Sequence, residues 1–264
     1  MPLNKTKISW PDATSNLMPF CSRGCAYCYR QRIMNLQSCQ KCRRNQPHFH
    51  EERLADLTAP HPRAPLKVFV NSMGETFDPK CRPEWYRPFW EAIEQSPHQI
   101  IIATKNPHLI GPKTFPWAVG GRPHDWPEHL WLLVSAESQR QLDVRLGELA
   151  KRVKPGRLGL SLEPALGPFP KLESWLSLVE WIIFGGLSGS WLPPGWKVKR
   201  SLAAAQARWA VEVAKQIASP GQWGMGVPLF VKPDTPLPDP APRDMDYPPA
   251  MQALSPTLKQ AALF

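Results

Sequence analysis

Trp131-Leu-Leu-Val134-Ser-Ala-Glu137, followed by a helical stripe and then Leu158-Gly-Leu160, is the stretch whose reading decides the fold. The first run is short, aromatic and branched, and does not alternate with polar residues, which suits a strand buried on both faces of a parallel sheet. Leu142, Leu146, Leu149 and Val153 then recur at i, i+4, i+7 and i+11, one face of an α-helix. A second short apolar run follows. The segment therefore reads as strand, helix, strand.

The same alternation continues in both directions. Apolar runs occur at Val68-Phe-Val70, Ile100-Ile-Ile102, Trp181-Ile-Ile-Phe184 and Val227-Pro-Leu-Phe-Val231. Further helical stripes are Trp85, Phe89 and Ile93, and Leu202, Trp209, Val213 and Ile217. No internal sequence repeat is evident. Repeated strand-helix units with right-handed crossovers predict an α/β fold, a full or partial (β/α) barrel of parallel strands. Residues 1–232 form that barrel in this reading. Pro233-Asp-Thr-Pro-Leu-Pro-Asp-Pro-Ala-Pro is too rich in proline for helix or central strand, so 233–264 is expected to be a proline-rich C-terminal tail.

Polar groups follow nearly every apolar run. Gly74 and Glu75 follow the first, Thr104, Lys105 and Asn106 the second, and Ser135 and Glu137 the third. Ser161 and Glu163, then Gly185 and Gly186, then Lys232 follow the rest. In a parallel barrel these ends share one face, where active sites are built.

Cys21-Ser-Arg-Gly-Cys25-Ala-Tyr27-Cys28 precedes the first apolar run. Three closely spaced cysteines on one loop suit a 4Fe-4S cluster held by thiolates, with one iron left open for a ligand. Zinc and disulfide bonding are the competing readings. Zinc prefers four ligands, commonly in paired C-x2-C units.

The C-x3-C-x2-C pattern with an aromatic before the third cysteine resembles the signature of the radical S-adenosylmethionine superfamily. Further segments resemble, in order through most of residues 5 to 232, a phage-associated radical-SAM-like family: Lys5-Thr-Lys-Ile-Ser-Trp10, His50-Glu-Glu-Arg-Leu54, Asn71-Ser-Met-Gly, Ala103-Thr-Lys-Asn-Pro107, Val134-Ser-Ala-Glu137, Leu162-Glu-Pro-Ala-Leu-Gly167 and Phe184-Gly-Gly-Leu-Ser-Gly189. Leu187 stands where members commonly carry glutamate. That family is distantly similar to spore photoproduct lyase.

The resemblance implies that Cys21, Cys25 and Cys28 hold a 4Fe-4S cluster. Its open iron would bind S-adenosylmethionine, and reductive cleavage would yield a 5′-deoxyadenosyl radical. Tyr27 would pack beside the cluster and shield the adenine. Met73-Gly74-Glu75 resembles the Gly-Gly-Glu element that receives the methionine ammonium, with methionine replacing the first glycine. Ser135 and Glu137 are candidates for the ribose hydroxyls, and Lys105 and Lys232 for the cofactor carboxylate or a substrate phosphate. Glu163 completes the expected cofactor shell. A flavodoxin- or ferredoxin-like reductant and a DNA, RNA or nucleobase substrate are the implied partners.

A second pair, Cys39-Gln-Lys-Cys42, is followed by His48 and His50. Four such ligands are enough for tetrahedral zinc, and histidines separated by one residue share a face if the segment is extended. An auxiliary iron-sulfur cluster is the rival metal, and reduced cysteines beside surface histidines the alternative without one. Residues 39–50 would then be a small metal-binding insertion, with Cys81 a further candidate ligand.

The 264-residue chain is 42% hydrophobic and 20% charged, a globular balance with material for a real core. Its 12 tryptophans are expected mainly to pack. The start of the chain lacks the apolar core of a signal peptide, and no apolar run reaches membrane-spanning length. Six cysteines in such a chain point to a reducing, cytoplasmic setting and to metal or catalytic use. The net charge of +10 favours an anionic partner. No acidic residue lies between Ala13 and His50, whereas Arg23, Arg30, Arg32, Lys41, Arg43 and Arg44 do. Two other functions fit these features: a non-catalytic metal-binding nucleic-acid protein, and a cluster-bearing redox sensor.

Overall fold

The computed structural model describes residues 3–121, 126–154, 156–187, 199–218, 227–233 and 235. The expected proline-rich tail lies outside these residues, except for its positions 233 and 235. Eight strands form one sheet in sequence order: β1 (Asn4–Lys5), β2 (Ala13–Ser15), β3 (Lys67–Val70), β4 (Gln99–Thr104), β5 (Leu130–Ser135), β6 (Arg157–Leu162), β7 (Trp181–Phe184) and β8 (Leu229–Val231). Only β1 runs antiparallel to its neighbour. All pairs from β2 to β8 are parallel.

Each apolar run of the sequence contributes a strand. β1 and β2 carry no such signal. Ala13-Thr-Ser15 is three buried residues of small side chain, and Asn4–Lys5 is an exposed edge. Both owe their pairing to neighbouring strands rather than to their own hydrophobicity.

The strands bury both faces. Leu130, Leu132 and Val134 of β5 join the larger core, together with Ile100, Ile102, Leu160 and Ile182. That core contains the stripe of α5 (Gln139–Ala150), in which Leu142, Leu146 and Leu149 are fully buried. α4 (Pro83–Glu94) adds Phe89 and Ile93, and α6 (Arg200–Ala218) adds Ala210 and Val213. The alternate positions Ile101, Trp131, Leu133, Trp181, Ile183 and Phe230 form a second cluster on the opposite face, capped by Trp10.

A sequential parallel order, with right-handed crossovers, puts the connecting helices on one face. The other face must be covered by something else, and here it covers itself. Trp10 lies 4.7 Å from the Phe69 ring of β3 and 5.8 Å from the Trp181 ring of β7. Four strand steps in a flat sheet would separate those strands by about 19 Å. The sheet is therefore curved around Trp10. Among the described residues β1 and β8 do not pair, so the sheet is open. No helix among the described residues is long and apolar enough to cross a membrane.

Trp10→Ala should remove the plug of the concave face and cost about 3–5 kcal/mol. Urea unfolding monitored by far-ultraviolet circular dichroism measures this. A loss below about 1 kcal/mol would mean that the concave face does not depend on this ring.

Candidate metal centre and cofactor cavity

The cysteine loop leaves the sheet after β2 and is held by the turn after β3. Asn71 adopts a left-handed φ of 56°, which asparagine tolerates. Its Oδ1 accepts from the Leu17 and Met18 amides at 3.0 and 2.8 Å. Gly74 presses on the same strand of chain: a Cβ there would lie 2.0 Å from the Met18 carbonyl oxygen. The Glu75 amide donates to the Phe20 carbonyl at 2.8 Å, directly before Cys21. Within the loop, Ser22 donates to Asp78 from both its amide and its hydroxyl, and Arg23 donates to Asn106 Oδ1.

Cys21, Cys25 and Cys28 all line one cavity of about 950 Å³ at the carboxyl edge of the sheet. They are half-buried free thiols. Burial pushes the Cys21 thiol up to about 11 and raises that of Cys28 as well. The same cavity is lined by Gly74, Glu75, Lys105, Ser135, Ser161, Glu163 and Lys232, so the polar strand ends do converge. Lys5 to Trp10 line it too, which sequence reasoning missed. That segment is polar and short, and only the curvature of the sheet brings it across the concave face. A smaller groove of about 450 Å³, beside Phe169 and Trp209, has neither cysteine nor histidine in its wall.

Arg30 is the unusual member of the wall. It begins α1 (Arg30–Ile33) and is 5% exposed. Its guanidinium donates to the Pro19 carbonyl at 2.8 Å and to Met34 Sδ at 3.2 Å, while Nε has no partner among the described residues. Burial lowers its proton affinity; the neighbouring sulfurs of Cys28, Cys21 and Cys42 oppose that shift. Among the described residues no carboxylate pairs with it. A buried cation needs a compensating anion, and metal-bound thiolates would supply one.

Behind the cavity runs a charged network. Lys105 Nζ donates to Tyr27 Oη at 2.7 Å and to Glu137 Oε1 at 2.6 Å, and sits 4.8 Å from the Tyr27 ring centroid. Tyr27 Oη donates to the same carboxylate oxygen. Arg145 donates to Glu137 Oε2 at 2.8 Å and to the Ser135 carbonyl at 2.6 Å. Burial alone would raise the Glu137 carboxyl, but Lys105, Tyr27 and Arg145 outweigh it and hold the group down to about 2. Glu137, expected to face ribose, is instead absent from the cavity wall. Its role in this structure is to brace Tyr27 and Lys105.

Glu75 is similarly engaged. Its Oε1 accepts from Thr104 at 2.7 Å and from the Phe77 amide, and its Oε2 from the Lys105 amide at 2.8 Å. It ties the end of β3 to the end of β4. Glu163 pairs with Lys232, linking the ends of β6 and β8. Gly185 makes room between them: a Cβ there would meet Lys232 Cδ at 2.8 Å. Of the glycine-rich block that follows β7, Ser188 and Gly189 lie outside the described residues.

The second cysteine pair closes on the histidines. α2 (Gln40–Arg43) carries Cys42, and the ligand atoms of Cys39, Cys42, His48 and His50 lie within 4.8 Å of one another, a group that could hold a metal ion. Cys42 Sγ is 3.2 Å from His48 Nε2 and 3.3 Å from His50 Nε2, and Cys39 Sγ is 3.6 Å from His48 Nε2. Cys81 is not in this group; its Sγ lies by the Glu75 carbonyl.

Glu137→Gln leaves Lys105 and Arg145 without their shared anion and should cost on the order of 3 kcal/mol at neutral pH. Because the folded carboxyl is depressed, its stabilisation is full above the ordinary value of 4.5 and is lost as pH falls through about 2. The stability gap between wild type and Glu137→Gln should therefore narrow as pH drops below 4.5. A gap independent of pH across that window would contradict the network.

No curated protein and no solved structure matches the chain. A family model matches residues 5–221, well over half of the chain. The chain belongs to the family described as protein of unknown function (DUF5131).

Proposed function

We propose that the protein is a radical S-adenosylmethionine enzyme in which Cys21, Cys25 and Cys28 hold a 4Fe-4S cluster. The observation that carries this reading is the convergence of three free thiols on one cavity beside Arg30, a buried cation without a carboxylate partner among the described residues. The curved, open sheet is read as a partial (β/α) barrel, and the cavity as its mouth. A cluster bound there would supply one-electron reductive cleavage of S-adenosylmethionine to methionine and a 5′-deoxyadenosyl radical, with the electron provided by a flavodoxin- or ferredoxin-like donor.

The chain's own residues divide the remaining work. Arg30 balances the negative charge of the thiolates. Tyr27 presents its ring at the loop, held by Lys105 and Glu137. Ser135 and Ser161 offer hydroxyls at the ends of β5 and β6 for a ribose, and the Glu163–Lys232 pair offers a donor and an acceptor for an amino-acid moiety. Gly74 lets the turn after β3 pack directly on the Met18 carbonyl, and Gly185 leaves room for the Glu163–Lys232 pair.

Exposed Arg23, Arg32, Lys41, Arg43 and Arg44 favour a nucleic-acid or nucleobase substrate, since they cluster on the cysteine loop and the segment after it. Free thiols at every described cysteine suit a reducing, cytoplasmic compartment. A second reading, a non-catalytic metal-binding nucleic-acid protein, is favoured by the Cys39–His50 group alone.

Protein reconstituted with iron and sulfide without air, then given dithionite and S-adenosylmethionine, should form 5′-deoxyadenosine. Output no higher than that of Cys28→Ala would overturn the enzymatic reading. In that case, salt-dependent DNA binding by a colourless protein would support the second one.

A further inference from the structure

We propose that Cys39, Cys42, His48 and His50 bind a structural zinc ion, and that this ion presets Cys21 through Asn45. The zinc assignment stands on the four ligands alone; the effect on Cys21 rests on the cluster reading above.

The ligand geometry is that of a single-ion cage. Zinc bonds of about 2.3 Å to sulfur and about 2.0 Å to nitrogen, at tetrahedral angles, separate sulfur from nitrogen by about 3.5 Å and two nitrogens by about 3.3 Å. Three of the four sulfur–nitrogen separations here run from 3.2 to 3.6 Å, the two Nε2 atoms are 3.0 Å apart, and all four ligand atoms lie within 4.8 Å of one another. An iron-sulfur cube would have to push these atoms apart. Two thiolates with two imidazoles also suit zinc by ligand softness.

The outer partners agree. His48 Nδ1 lies 2.7 Å from the Gln46 carbonyl, and His50 Nδ1 lies 2.6 Å from Glu52 Oε1. Both acceptors call for a proton on Nδ1, which leaves each Nε2 with a bare lone pair. Two lone pairs aimed at each other across 3.0 Å repel unless a cation lies among them. Carbonyl and carboxylate partners of this kind orient histidine ligands in metal sites generally. Cys42 and His48 are 4% and 6% exposed, so water has little access to their side of the cage, while Cys39 and His50 are half-buried.

The route to Cys21 is short. Asn45 lies between Cys42 and His48, with a left-handed φ of 51°, and its amide donates to the Cys42 carbonyl at 3.1 Å. Its carboxamide brackets Cys21: Oδ1 accepts from the Cys21 amide at 3.3 Å, and Nδ2 donates to the Cys21 carbonyl at 2.9 Å. The cage is anchored elsewhere by the His50 amide on the Leu17 carbonyl at 2.8 Å and by Phe49 stacked on Trp85. Closing the cage around an ion therefore fixes a side chain that holds Cys21 by both backbone groups.

Metal analysis of the full chain, purified without air and reconstituted with iron and sulfide, tests both halves. Wild type should hold about one zinc per chain besides iron. A Cys21→Ala/Cys25→Ala/Cys28→Ala variant should keep the zinc and lose the iron, and its zinc-stripped form should titrate with cobalt(II) to a tetrahedral thiolate–imidazole absorption at about one equivalent. Asn45→Ala should keep zinc while retaining several-fold less iron. His48→Ala should lose both. Iron in place of zinc in the triple variant, or no saturable cobalt spectrum, would overturn the zinc assignment. Full iron retention by Asn45→Ala would overturn the coupling. Wild type that holds zinc but no iron would sink the cluster reading, and the coupling with it, while leaving the zinc site standing.

Discussion

Seven parallel strands in sequence order all release the chain at the same edge, and nearly everything else about the site follows from that constraint. Glu75, Lys105, Ser135, Glu163 and Lys232 are far apart in the chain and adjacent in space because each follows a strand of one sheet. The order also leaves one sheet face without helices. Curvature around Trp10 buries that face and carries residues 5–10 over the cavity. The cysteine loop, leaving β2, then has one place to go.

Electrostatics separate the cavity into a wall and a scaffold. Glu75 and Glu137 are buried carboxylates with full sets of donors, and they hold the ends of β3, β4 and β5 in register. Arg30 has the opposite character. It is buried, it borders both cysteine groups, and among the described residues its Nε lacks a partner. A protein interior tolerates such a cation when an anion comes with the ligand. In the reading proposed above, a three-thiolate iron-sulfur cluster would carry that negative charge, whereas a zinc ion held by two thiolates and two neutral imidazoles would be neutral overall.

Much of the fold is legible in the sequence. The apolar runs marked six strands, and the leucine stripe of α5 marked its buried face, because burial on both sides of a parallel sheet leaves a hydrophobic signature. β1 and β2 left none, since Asn4–Lys5 and Ala13–Ser15 are held by pairing alone. The spacing of Cys39, Cys42, His48 and His50 announced a possible ligand set, but their closure needs the left-handed turn at Asn45, which carries no pattern. Glu137 was legible as a strand-end acid but not as a buried brace. Its direction depends on Arg145, one helical segment later, and on Tyr27, more than a hundred positions earlier.

The central claim is that three thiols grip a cluster with one iron left open. Electron paramagnetic resonance of the reduced protein, prepared without air and recorded before and after S-adenosylmethionine is added, tests it most directly. The account predicts about four irons and as many sulfides per chain, and a reduced-cluster signal whose g-values shift when the cofactor binds. A protein that takes up no iron and sulfide, or a signal indifferent to S-adenosylmethionine, would contradict it.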